Sequence, residues 1–330
     1  MDTKAGYLGC LICVLVLVLL LIGILPGASG ISRQEMDTDI RPAFPEIDGD
    51  HIIFENRPDW RNSDIILMNA SSGEYHPVIR EKENQYRPDI SGGTIVWQDK
   101  SSGVWDIYSK NLTSGEIRPV STSSARKTTP QISGDRVVFV DERYGSPDIC
   151  LINLSTREEW MICKNADVQW QPAIDGDWVV WEDWRDGSTS RGDIYAYNIP
   201  TGQEIQVTNG SWADWFPDVS DGWVVWQSQE RGNFDIAAQN LSSGKRIMVT
   251  TDPSRQWFAR ISGDDIVWID ERGELWDIYG YDRSQKREYQ ISIDPDNDAW
   301  PDVSNGTVVY ITYPGRGIPE LQVYHINQTE

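Results

Sequence analysis

The chain has 330 residues, 51 of them acidic and 29 basic, and its formal net charge at pH 7 is −22. An acidic excess of this size argues against nucleic acid or anionic lipid headgroups as partners. It is typical of a protein that is soluble in saline or cation-rich surroundings, but it identifies no ligand.

The N-terminal segment is apolar. Residues 8–25 carry no charge, Lys4 precedes them, and Pro26 to Gly30 follow. This pattern indicates either a secretion signal cleaved after Gly30 or an uncleaved anchor, because about 18 apolar residues just span a bilayer. Both alternatives predict an extracytoplasmic protein, secreted or held at the cell membrane by residues 8–25. We therefore divide the chain into a signal or anchor (1–30) and a second domain (31–330).

The remainder of the chain is a repeat. A proline begins each unit except the sixth, where Ala259 takes its place, and the prolines are Pro45, Pro88, Pro130, Pro172, Pro217 and Pro301. The second unit contains four strand-like segments, at 88–91, 94–97, 105–108 and 116–120. Units of about 40 to 45 residues with four short strands are typical of propeller blades. The sequence therefore predicts an all-β, seven-bladed propeller of four-stranded antiparallel blades.

One large side chain recurs in the second strand of every unit. We expect these residues to fill the core between blades, at Phe54, Trp97, Phe139, Trp181, Trp226, Trp268 and Tyr310.

The last unit ends after its third strand, at residues 323–326. A missing fourth strand would leave an open sheet edge. Residues 31–41 lie where a fourth strand precedes the proline in the other units. We therefore expect this segment to pair with the seventh blade and close the ring.

The units resemble TolB-like propeller repeats, and more closely the surface-protein variety of archaea and some bacteria. The resemblance rests on strings such as QPAIDGDWVVWED at 171–183, followed by GDIYAYN at 192–198. It covers nearly the whole chain after residue 43. It implies a scaffold without a particular chemistry. The N-terminal domain of the Tol-system protein has no counterpart here.

Polar residues near the turn after the second strand recur from unit to unit. Asp141 with Arg143, Asp183 with Arg185 and Asp270 with Arg272 are predicted to form charge pairs across that turn. Such pairs contribute at most about 1 kcal/mol when they are exposed.

Aromatic residues cluster one or two positions before the proline of several units. They are Tyr86, Trp170, Trp215, Trp257 and Trp300, and carboxylates follow the proline at Glu46, Asp89, Asp218 and Asp302. Aromatic faces beside carboxylates are typical of a sugar-binding surface or a protein hot spot. The alternative is that the rings cap the core between blades.

Two smaller features concern a disulfide and a metal. Cys150 and Cys163 lie on the third and fourth strands of the third unit, where an exported protein could oxidise them, or they are two separate buried thiols. Asp294, Asp296 and Asp298 resemble the start of a calcium loop, but the turn glycine and the bidentate glutamate of that motif are absent. Calcium is the one cofactor that the sequence leaves open.

Export would make seven Asn-Xaa-Ser/Thr sites candidates for glycosylation. They are Asn69, Asn111, Asn153, Asn209, Asn240, Asn305 and Asn327.

Signatures of catalysis are few. The chain has only 3 histidines, and it contains neither a nucleophile elbow nor a glycine-rich phosphate loop. The predicted function is therefore a non-catalytic scaffold at the cell surface that binds protein or glycan. The alternative is a calcium-dependent lactonase- or lyase-like enzyme with carboxylates at the mouth of the channel.

Overall fold

The computed structural model describes residues 32–33, 36–37, 39–59, 62–81, 83–186, 191–315 and 317–326. The predicted signal or anchor and the candidate glycosylation site Asn327 lie outside these residues. Within them, no helix has the length and apolar character that crossing a membrane requires.

The described chain forms seven four-stranded antiparallel sheets, which confirms the predicted propeller. The first blade contains β2 (Pro42–Asp48), β3 (His51–Asp59), β4 (Asn62–Asn69) and β5 (Tyr75–Ile79), and the second contains β6 (Gln85–Ser91), β7 (Thr94–Asp99), β8 (Asp106–Asn111) and β9 (Ile117–Pro119). The third contains β10 (Lys127–Ser133), β11 (Arg136–Asp141), β12 (Asp148–Asn153) and β13 (Glu159–Cys163), and the fourth contains β14 (Gln169–Asp175), β15 (Trp178–Asp183), β16 (Asp193–Asn198) and β17 (Gln203–Gln206). The fifth contains β18 (Asp214–Ser220), β19 (Trp223–Ser228), β20 (Asp235–Asn240) and β21 (Arg246–Met248), and the sixth contains β22 (Gln256–Ser262), β23 (Asp265–Asp270), β24 (Asp277–Asp282) and β25 (Arg287–Gln290).

The seventh blade combines both ends of the chain. It contains β26 (Asn297–Ser304), β27 (Thr307–Tyr313), β28 (Glu320–His325) and the N-terminal β1 (Ser32–Arg33). Ser32 lies opposite Val323, and Arg33 lies opposite Gln322. The predicted closure by the N-terminal segment is therefore present.

The large side chains of the second strands are buried between the blades as predicted. Tryptophan brings a polar N–H into this core, and that group needs an acceptor. The Nε1 atoms of Trp181 and Trp268 donate to Asp183 and Asp270 at 2.9 and 3.0 Å. The same aspartates bind Arg185 and Arg272, and Asp141 binds Arg143, so the three predicted charge pairs across the turn are confirmed.

A repeated hydrogen bond joins each blade to the next. The side chain that ends each innermost strand is Ser or Asp, and it accepts from a backbone N–H in the first turn of the following blade at 2.7 to 3.3 Å. The donor and acceptor pairs are Gly92 to Asp48, Gly134 to Ser91, Gly176 to Ser133, Asp221 to Asp175, Gly263 to Ser220, Asn305 to Ser262 and Gly49 to Ser304. The repeated Ser/Asp-Gly step therefore holds the ring together.

The candidate disulfide between Cys150 and Cys163 is absent, because both cysteines are free and buried. Ile149 lies opposite Cys163 and Cys150 lies opposite Met161. Neighbouring residues of a strand point to opposite faces of the sheet. Cys150 accordingly packs in the core on one side of the blade, and Cys163 packs in the core on the other.

Candidate functional site

Each innermost strand contains a β-bulge just before the proline position. The residue there has a positive φ of 48° to 57° in all seven blades, namely Phe44, Arg87, Thr129, Gln171, Phe216, Phe258 and Trp300. Such a bulge interrupts the alternation of side chains and re-aims one of them. All of these residues except Trp300 line a cavity of about 70 Å³ at the mouth of the central channel.

A second ring of side chains lies one step below, directly after the proline position. Here the predicted acceptors Glu46, Asp218 and Asp302 meet around the guanidinium of Arg260, and Asp89 adds a fourth buried carboxyl that feels the charge of Arg260. Glu46 Oε1 accepts from Arg260 Nη2, Asp302 Oδ1 lies 3.5 Å from Arg260 Nε, and Asp218 Oδ1 lies 4.0 Å from Arg260 Nη1. The side chains of Arg260, Glu46, Asp218 and Asp302 are only 12 to 16% exposed.

The aspartates of this ring also serve the fold. The backbone N–H of Ile132 donates to Asp89 Oδ2 at 2.6 Å, and that of Ile261 donates to Asp218 Oδ2 at 2.9 Å. Asp302 accepts from the next blade in the same way. Glu46 differs, since it bonds to side chains of the ring: it accepts from Arg260 and shares a hydrogen bond with Asp302.

Burial raises the pKa of all four carboxyls, because removal from water disfavours the charged form. The pKa of Glu46 is raised well above its usual value, with Arg260 opposing the effect of burial. Burial raises the pKa of Asp89 to about 7 and that of Asp218 to about 6. The pKa of Asp302 is raised by the same cause. The ring therefore contains carboxyls that exchange protons near neutral pH.

Arg260 was not among the residues predicted from the sequence. Its signal is that the sixth unit departs from the repeat, with Ala259 at the proline position and a basic residue where the other units have an acidic or neutral one. The cation at that position lies within ion-pair distance of carboxylates from three other blades, the fifth, the seventh and the first.

The predicted rim aromatics occupy two different places. Trp300 lies at the mouth, with ring centroids 4.4 Å from Phe44 and 4.9 Å from Phe258. Neither Trp300 nor the other four lines the cavity itself. Tyr86 packs on Trp105, Trp170 on the core between blades, Trp215 between Trp184 and Phe234, and Trp257 on Trp276 and Trp300.

The predicted calcium ligands are occupied by protein donors instead. Asp294 Oδ1 accepts from the N–H of Asp296, Asp296 Oδ1 from that of Gly315, and Asp298 Oδ1 from Thr312. Among the described residues, no group of three His, Cys, Asp or Glu side chains is arranged to hold a metal ion.

Four of the candidate glycosylation sites, Asn69, Asn111, Asn153 and Asn240, stabilise the turn between the third and fourth strands. Their Oδ1 atoms accept from backbone N–H groups within that turn. Asn209 and Asn305 are exposed. Glycosylation of these residues stays a prediction.

No protein-family model matches the chain, and no curated protein matches it. Solved structures do. A puromycin-hydrolysing peptidase of Mycobacterium tuberculosis is 13% identical, with a TM-score of 0.70, over 88% of this chain and 52% of that chain. An oligogalacturonate lyase of Vibrio parahaemolyticus is 12% identical, with a TM-score of 0.67, over 90% and 94%. A putative TolB of Agrobacterium tumefaciens is 17% identical, with a TM-score of 0.56, over 82% and 100%.

These likenesses establish a TolB-like propeller fold. The chain spans about half the length of the peptidases, 52% and 55% for two of them, and nearly the whole length of the lyase. The prediction of a non-catalytic scaffold is wrong, because the similar solved structures are mainly hydrolases and lyases. The alternative predicted from the sequence, a calcium-dependent lactonase- or lyase-like enzyme with carboxylates at the channel mouth, agrees better with these neighbours.

A similar oligogalacturonate lyase was solved in complex with manganese. The residues at the mouth of this channel do not suit a divalent cation, because the guanidinium of Arg260 already lies among the carboxylates. We therefore derive no chemistry through a metal at this position.

Proposed function

We propose that the propeller is an enzyme that cleaves an acidic oligosaccharide by elimination, with buried carboxyls at the channel mouth as its acid and base. The observation that carries the proposal is the convergence of three carboxyls from three blades on Arg260 beneath an open cavity, with the buried carboxyl of Asp89 in the same ring. A lyase is favoured over a peptidase because the matched lyase is a propeller over nearly its whole length, whereas the matched peptidases are about twice as long.

The two roles follow from the different environments of the carboxyls. Eliminative cleavage needs a base that removes the proton on the carbon beside the sugar carboxylate, and an acid that protonates the leaving oxygen. The C–H and C–O bonds break, and a carbon–carbon double bond and an O–H bond form. Paired groups with separated pKa values take opposite roles. Glu46, whose pKa is raised well above its usual value, is assigned as the acid, and Asp218, with a pKa of about 6, as the base.

Arg260 is assigned a supporting role in this scheme. It lies within ion-pair distance of both Glu46 and Asp218, so it stabilises whichever of the two is ionised at a given step. We also propose that the propeller is exported and acts at the cell surface, on the strength of the apolar residues 8–25.

The test is a screen of uronic-acid oligosaccharides for the ultraviolet absorbance of the unsaturated product. We expect turnover by the wild-type protein and a loss of about 100-fold or more in kcat for Glu46→Gln, because general acid–base groups contribute at least that factor. The matched control is Glu116→Gln, which removes a half-exposed carboxylate far from the mouth. Absence of turnover in the wild type, or an unchanged rate in Glu46→Gln, would contradict the proposal.

A further inference from the structure

We infer that Arg87 binds a carboxylate of the ligand at the channel mouth and makes the site selective for acidic over neutral sugars. This inference rests on the proposed function for the place of the site and the sugar nature of the ligand. It identifies Arg87 as the residue that binds the acidic group of the ligand.

The backbone places Arg87 at the cavity. It occupies the bulged position of the second blade, with a φ of 49°, and it lines the cavity. Its backbone N–H donates to Glu55 Oε1 at 2.8 Å. The bulge leaves this N–H without a partner on the adjacent strand, and the bond to Glu55 replaces the missing one. The main chain is thereby fixed in a position that places the side chain at the mouth.

No hydrogen bond or close ion pair within the described part of the chain holds the guanidinium of Arg87, although the charges of Glu55 and Glu46 act on it from a distance. The other two arginines near the mouth are already engaged. Arg260 is bound to the carboxylates below. Arg57 is paired with Glu55 at 2.5 Å, and it lies over the rings of Phe44 and Tyr86 at 4.8 and 5.0 Å. Of the two arginines that line the cavity, Arg87 is therefore the one whose guanidinium is available to a ligand.

The surroundings of Arg87 favour a carboxylate attached to a sugar. On one side of the mouth lie the neutral hydrogen-bonding side chains of Thr129, Gln131 and Gln171, and on the other lie the rings of Phe216 and Phe258. A sugar ring presents an apolar face for the aromatic side and hydroxyls for the amides. The cavity of about 70 Å³ admits a single small group such as a carboxylate. A guanidinium fork binds that group in a bidentate manner.

The acidic ring below does not oppose this binding, because its carboxyls are buried and partly neutral. Burial raises the pKa of Asp89 to about 7, and Arg260 offsets the charge of its neighbours. An anion bound above them would raise these pKa values further and keep a carboxyl protonated. Binding of the acidic sugar is therefore compatible with a protonated acid in the same site.

The test measures binding without turnover. Calorimetric titration compares a uronic-acid disaccharide with the neutral disaccharide that carries hydroxymethyl groups in place of the carboxylates. We expect the wild-type protein to prefer the acidic sugar. Arg87→Gln should lose about tenfold or more in affinity for it while its affinity for the neutral sugar is unchanged, as expected for one lost charge-assisted pair. Arg87→Lys should lie between the two, because lysine keeps the charge but not the fork.

The matched control is Arg118→Gln, which removes the same charge at an exposed position paired with Glu116 and should leave both affinities unchanged. Glu46→Gln separates this inference from the proposed enzymatic activity, since it should lower kcat by about 100-fold or more and keep the preference for the acidic sugar. Equal affinities for the two sugars in the wild type, or no binding of either, would overturn the role of Arg87. So would an unchanged preference in Arg87→Gln.

Discussion

Asp298 and Tyr310 are fully buried in the seventh blade, and among the described residues neither Asp298 Oδ2 nor the hydroxyl of Tyr310 has a hydrogen-bond partner. In the fifth blade, the aspartate at the same position receives a hydrogen bond from Trp226 at 2.9 Å. Tyr310 replaces the tryptophan and its indole N–H is lost. Burial, with the nearby charges of Asp294 and Asp277, raises the pKa of Asp298 to about 7.

A carboxyl with a raised pKa in the folded state makes stability depend on pH in a defined direction. Below its ordinary pKa the carboxyl is protonated in both the folded and the unfolded chain, so its contribution to the free energy of unfolding is complete. Between that value and about 7 only the unfolded chain releases the proton. The free energy of unfolding therefore falls as pH rises through this window.

Asp298→Asn should remove the contribution of this residue to the fall in the free energy of unfolding with rising pH. At pH above about 7 we expect the free energy of unfolding to rise on the order of 1 kcal/mol, because a neutral amide replaces a buried carboxylate oxygen without a partner. Denaturant melts across the pH range measure this effect. Asp177→Asn, at a half-exposed position, should leave the pH dependence unchanged. A destabilised Asp298→Asn protein at high pH would contradict the argument.

At the level of elements, the register between β12 and the edge strand β13 determines whether the two cysteines can form a disulfide. Cys150 and Cys163 lie on adjacent strands, but the irregular pairing beside Ile149 directs their side chains to opposite faces. Burial raises the pKa of Cys150, and it raises the pKa of Cys163 to about 12. Both thiols are therefore protonated at neutral pH and shielded from reagents.

We expect neither cysteine to react with an alkylating reagent in the folded protein. Both should react after denaturation without reductant, because no disulfide protects them. Intact-mass measurement counts the added groups. A protein that gains two further alkyl groups at these positions only after reduction would show that the bond exists.

The innermost strands mark the limit of what the sequence predicts about the site. The recurring proline and the Ser/Asp-Gly step predict the blades and their order, because both act locally in every unit. The bulge does not follow from that pattern. A strict alternation of side chains would not distinguish Trp257 from its neighbour Phe258 as the residue that lines the mouth, and the structure selects Phe258. Arg260 was overlooked because its role depends on carboxylates brought from other blades.

At the scale of the whole molecule, the ring is closed by two residues of β1 paired with β28. Without them β28 would present an open edge, and the two ends of the propeller would no longer be joined by a sheet. Deleting residues 31–41 should therefore lower the melting temperature by several degrees or cause aggregation. A thermal melt of the variant beside a protein that lacks only residues 1–30 provides the comparison. Equal melting temperatures in the two proteins would show that closure adds no stability.

The seven bulged residues at the mouth have one backbone conformation and five kinds of side chain: phenylalanine, arginine, threonine, glutamine and tryptophan. Glycine would adopt this left-handed conformation without strain, whereas any other residue costs on the order of 1 kcal/mol. All seven positions nevertheless carry a side chain. At Arg87, Phe216 and Phe258 the backbone N–H donates to a Glu or Gln side chain of the preceding blade, so the main chain is held independently of the side chain that the mouth presents. The side chains that a ligand would contact at the mouth can therefore be changed one blade at a time, in evolution or by design, without altering the fold of the propeller.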